Sequence, residues 1–253
     1  MGLDKISALE SYTELKCLWL NNNSIKAIGG LGNQTKLKSL FLQNNAIDKI
    51  QNLHNMPNLN TLNLSGNLIR KIENLECCHK LSHLDLSNNL ISSSNDCENL
   101  KYCQNLSYLN LENNKLDDIH ILDILAEIPD LRVLNLKGNS FISAMSNPKF
   151  NILSKLRNLT YLNDFPVKKT DYILADAYIR GGDEQLRIAR DNILKEKEES
   201  VANSANYMMK IKTTNLKKRE IKSFIARILE HVCEKNEFRN EKERRIIEIE
   251  TIE

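Results

Sequence analysis

Between residues 15 and 141 the chain spells one phrase six times, Leu-x-x-Leu-x-Leu-x-x-Asn-x-Ile with minor variants. The copies start at Leu15, Leu37, Leu59, Leu81, Leu106 and Leu131, and their asparagines are Asn23, Asn45, Asn67, Asn89, Asn114 and Asn139. A fixed period constrains a fold more than composition can, because each copy makes the same contacts with its neighbours and the units stack in a row. The Leu-x-Leu alternation makes a short strand with one face in the core, and stacked copies give a parallel sheet. After each strand the chain turns sharply and buries backbone polar groups that no helix or ladder satisfies. An Asn amide carries both the donor and the acceptor that pair them, so the six asparagines read as buried and structural, not catalytic.

That phrase is the leucine-rich repeat. The fold class it predicts is α/β, a leucine-rich-repeat solenoid of 22–25-residue repeats with a curved parallel sheet, a C-terminal cap and an α-helical tail. The asparagine spacings are 22, 22, 22, 25 and 25, and three added residues are nearly one helical turn. Extended and 3₁₀ return segments are therefore expected in the first repeats and helix in the later ones. Asp118 would cap a helix running through Leu122, Leu125 and Ile128.

A solenoid needs closed ends, since a terminal repeat otherwise exposes its Leu face. Leu156-x-x-Leu159-x-x-Leu162 closes the C-terminal end, and Asn158 to Val167 reads as a cap without the Asn turn, stopped by Pro166. At the other end Ile6-Ser-Ala-Leu9 matches Ile28-Gly-Gly-Leu31, Ile50-Gln-Asn-Leu53 and Ile72-Glu-Asn-Leu75. It is the return arm of a repeat whose strand is missing, and counting back 22 residues from Asn23 lands on Met1. A strand of the same form is expected upstream.

Charge density divides the chain. Residues 1–166 hold 16 basic and 16 acidic side chains, leaving 19 and 17 in the 87 residues 167–253. This predicts a leucine-rich-repeat domain over 1–166 and a charged helical tail over 167–253. In the tail Ile221, Phe224, Ile225, Ile228, Leu229 and Val232 follow the spacing of an amphipathic helix that needs a surface; packing back on the solenoid would supply one, and the freedom of the intervening chain favours a helix partner or self-association instead. Gly181-Gly182, the stretch from Asn203 to Asn206, and Thr213-Thr214-Asn215 read as breaks between helices. The net charge is only +2, so no global field recruits nucleic acid or an anionic membrane. Apolar runs of a few residues fall short of the roughly 18 to 20 that cross a bilayer. The expectation is a soluble intracellular chain with reduced cysteines and no cofactor.

Candidate chemistry dissolves on alignment. Cys77-Cys78-His79 with His83 looks like a metal cluster, but Cys78 takes the core position of Met56, Cys103 and Ile128 while His83 lies on the outward strand face. Arg180-Gly181-Gly182 is too short for a phosphate loop and lacks its Lys. No constellation for an enzyme emerges. What remains is the concave sheet face, where the lane Trp19, Phe41, Asn63, Asp85, Asn110, Asn135 runs beside His83 and Tyr108. An open parallel sheet with two adjacent aromatics followed by polar groups suits protein docking, so Trp19, Phe41, Asn63, Asp85, His83 and Tyr108 are the candidate site.

One resemblance goes beyond generic repeats. Ile121 to Asn139, the cap stretch Leu159-Thr-Tyr-Leu-Asn-Asp-Phe-Pro-Val167, Ala175-Asp-Ala-Tyr-Ile-Arg-Gly-Gly182 and Tyr12-Thr-Glu-Leu-Lys-Cys-Leu-Trp-Leu20 together resemble the leucine-rich-repeat axonemal dynein assembly factors. Three positions depart from that pattern: Asn163 stands for an acidic residue, Phe165 for Arg and Tyr178 for Trp. The resemblance implies a non-catalytic cytoplasmic factor that helps dynein arm subunits assemble with chaperone machinery before transport to motile cilia or flagella. The alternative resemblance is to protein phosphatase 1 regulators built from 22-residue leucine-rich repeats, which would bind the phosphatase through the concave face.

Overall fold

The computed structural model describes residues 2–213 together with residues 227 and 228. The chain divides into two compact units, Met1–Arg190 and Asp191–Glu253. In the first, eight strands form one sheet in sequence order: β1 (Cys17–Trp19), β2 (Ser39–Phe41), β3 (Thr61–Asn63), β4 (His83–Asp85), β5 (Tyr108–Asn110), β6 (Val133–Asn135), β7 (Tyr161–Leu162) and β8 (Phe165–Pro166). All neighbours are parallel except β7 and β8, which pair antiparallel. The middle leucines stack in register, Leu18 on Leu40, Leu62, Leu84, Leu109 and Leu134. From Leu40 onward they are fully buried, while Leu18 on the edge strand is only partly so. Burial of this leucine column, at roughly 25 cal/mol per Å² of apolar surface, is what stacking contributes that one repeat alone cannot.

The asparagine ladder explains the tight turns. Each Asn Oδ1 accepts an N–H from the arm of the preceding repeat: Asn45 from Ile25, Asn67 from Ile47, Asn89 from Ile69, Asn114 from Ile91 and Asn139 from Leu116, at 3.0–3.2 Å. Each Nδ2 donates to the carbonyl closing its own strand and to its counterpart upstream, as Asn67 does to Leu64 and Leu42. Asn67, Asn89, Asn114 and Asn139 are buried, whereas Asn23 and Asn45, nearest the edge strand, are only partly so. The half-repeat is in register with this scheme, since Asn23 accepts from Leu3 at 2.8 Å and Ile6 is buried. The cap departs from its expected reading. Asn163 accepts from Leu136 at 2.8 Å, so the acceptor half of the turn persists there, and the chain then folds back as β8.

The return segments follow the spacing. They are extended after Asn23, Asn45 and Asn67. After Asn89 comes a 3₁₀ helix, Ser94–Tyr102; after Asn114, α1 (Ile121–Ala126); and after Asn139, α2 (Ser140–Ala144) and α3 (Pro148–Lys155). Helix α1 is shorter than expected, and the residue at its N-cap is His120, not Asp118. Asp118 instead accepts from the His120 N–H at 2.9 Å and from Ser94 Oγ at 2.6 Å, tying the turn to the previous repeat. Pro129, which follows Ile128, keeps that residue out of the helix.

The remaining helix, α4 (Lys169–Thr213), has non-helical backbone at Gly181 and Gly182. Gly182 sits at φ +60, ψ −146, a region open only to glycine, so the predicted break is real. The predicted break at Asn203–Asn206 is absent, because helix continues through it and Ser204 Oγ bonds the Ser200 carbonyl one turn back. The core also reaches past residue 166. Ala175, Ala177 and Leu186 are buried, and the Tyr172 hydroxyl donates to the Leu159 carbonyl at 2.7 Å, so residues 167–190 close the repeat domain. Charge density alone cannot reveal this, since the residues that make the contact, Ala175, Ala177 and Leu186 with Tyr172 and Leu174 partly buried beside them, are scattered among charged ones. In the second unit Ile228 is 44% exposed. Ile221, Phe224, Ile225, Leu229 and Val232, and with them the predicted helix partner or self-association, lie outside the described residues. No described helix is long and apolar enough to cross a membrane.

Candidate functional site

On each strand the residues flanking the buried leucine face away from the core, which displays Trp19, Phe41, His83 and Tyr108 on one open face. Parallel pairing sets Trp19 directly beside Phe41 and His83 directly beside Tyr108. The rings respond by stacking. Trp19 and Phe41 lie 5.4 Å apart with planes 2° from parallel, and His83 and Tyr108 lie 5.8 Å apart at 18°. Trp19 remains 62% exposed despite its partner. The pair is therefore a flat apolar platform open to solvent, of the kind that anchors interfaces.

The polar part of the lane has a different job. Asn63, Asp85, Asn110 and Asn135 each turn Oδ1 onto the N–H two residues ahead, at Ser65, Ser87, Glu112 and Lys137, at 2.9–3.2 Å. These are Asx turns ending the strands, and Asn110 and Asn135 are buried in doing so. The candidate residues thus separate: Trp19 with Phe41 and His83 with Tyr108 present free ring faces, while Asn63 and Asp85 brace the turn between them. The repeated Asx two residues before each turn was the available signal. His83 Nδ1 lies 2.7 Å from Ser82 Oγ. Burial, with the Asp85 carboxylate adding to it, pushes the Tyr108 phenol above its ordinary value.

Charge stands at the strand ends: Lys16 and Lys38 directly precede β1 and β2, both exposed, and Glu112 follows β5. The sequence reading did not offer Phe165 as a site residue; it is 68% exposed, and Lys137 Nζ sits 5.7 Å from its ring centroid. Lys137 in turn pairs with Asp164. The cysteine and histidine residues that suggest a metal do not converge. Cys78 is buried, its thiol pushed up to about 11 by that burial, whereas Cys77 and His83 are exposed in different surroundings. Among the described residues no group of three His, Cys, Asp or Glu side chains could hold a metal ion. Cys103 is likewise pushed up to about 12 by burial, far from the thiolate a nucleophile requires.

Known proteins bear on the fold. Residues 13–55 and 35–77 match the model described as leucine-rich repeats in two copies, and residues 80–103 match that of a single leucine-rich repeat. No curated protein matches the chain in sequence. Among solved structures, it is similar to an internalin, InlF, from Listeria monocytogenes, with a TM-score of 0.54 and 27% identity over 70% of this chain and 49% of that one. It is similar also to a chain in the Drosophila melanogaster SNF/U2A' complex, with a TM-score of 0.53 and 27% identity over 69% of this chain and 94% of the other. A leucine-rich-repeat protein of Leptospira interrogans gives a TM-score of 0.50 at 25% identity, over 59% and 37% of the two chains. The chain thus spans about half the length of the internalin it matches. Stacked parallel strands, an asparagine ladder and these matches agree that the fold of this chain is a leucine-rich-repeat solenoid.

Proposed function

We propose that the chain is a non-catalytic scaffold that docks a partner protein on the open sheet face, and that its partners are axonemal dynein subunits assembled with chaperones in the cytoplasm for motile cilia or flagella. The observation that carries the docking reading is the Trp19–Phe41 platform, a stacked and exposed aromatic pair on a parallel sheet whose outer face nothing covers among the described residues. A repeat fold related to a chain solved in a complex, that of SNF/U2A', supports a binding role. The dynein reading rests on the resemblance of the cap, Leu159 to Val167, and of Ala175 to Gly182, to the assembly-factor family. Both segments pack at the closed end of the solenoid, with Ala175 fully buried, so their likeness concerns how the repeats are sealed. The 22-residue period of the first repeats supports the phosphatase-regulator alternative. Proximity labelling in ciliated cells tests both. Enrichment of axonemal dynein chains is the expected outcome; a phosphatase catalytic subunit in their place would favour the alternative, and neither would refute both assignments.

A further inference from the structure

We draw no further inference here: the strongest candidate, the open edge of β1 beside the stacked Trp19–Phe41 rings, where Leu15, Leu18 and Leu20 are only partly buried, is an unpartnered apolar surface, and nothing among the described residues shows what covers it.

Discussion

A single side-chain amide at Asn67 holds four backbone groups: the Ile47 N–H, and the carbonyls of Leu42, Leu64 and Ser65, all within 3.2 Å. Asn67→Ala would leave buried groups unpaired at about 1 to 3 kcal/mol each. Denaturant melts should show a loss of at least about 2 kcal/mol, against under about 0.5 for a surface asparagine. An unchanged midpoint would refute the ladder. This row was legible because a period repeats it. A second row, one residue upstream, was not. Asn22, Asn44, Gly66, Asn88, Asn113 and Gly138 all adopt positive φ, and Asn44 reaches Asn22 at 2.9 Å while Asn113 reaches Asn88 at 3.1 Å. An Asn-or-Gly alternation reports a left-handed backbone, a cause that hydrophobic patterning does not carry. Gly138 shows how tight the row is, since a Cβ there would stand 2.0 Å from Asn113 Oδ1 at φ +70. Gly138→Ala should cost about 1 to 2 kcal/mol or more, and Gly32→Ala, whose added Cβ meets nothing nearer than 3.9 Å, close to nothing. Equal melts for the two variants would contradict this account.

The strands and their order follow directly from the repeats, and the progression from extended return segments to 3₁₀ and then α follows from the lengthening period. Element ends were harder to read. Asp118 has the right residue type for a cap, but its carboxylate is drawn to Ser94 in the previous repeat, a contact between copies that no local rule contains. The extent of the cap was hidden for a similar reason. Leu186 lies four residues beyond Gly182 yet is 3% exposed, while the helix surface from Lys195 to Tyr207 is exposed throughout. Limited proteolysis should accordingly cut beyond Arg190, leaving a resistant fragment that retains Leu186. Predominant cleavage at Gly181-Gly182 would show that the second half of the cap is not held by the core.

For the whole molecule, stacking and the proposed docking use opposite faces of the same short strands. One face carries a leucine column so uniform that it says nothing about partners, and the other varies from strand to strand. That variation was partly legible. The sequence placed Trp19 beside Phe41 and His83 beside Tyr108, but could not distinguish ring faces left free from the Asx residues that brace the turns, since both occupy outward positions. The central claim, that a partner docks on the aromatic platform, is tested most directly by the affinity of the double variant Trp19→Ala, Phe41→Ala for the partner captured by the wild-type chain. Truncating interface anchors typically costs roughly 2 kcal/mol or more each. The account predicts affinity at least about 30-fold weaker with the melt of the repeat domain retained, and wild-type affinity in the folded double variant would contradict it.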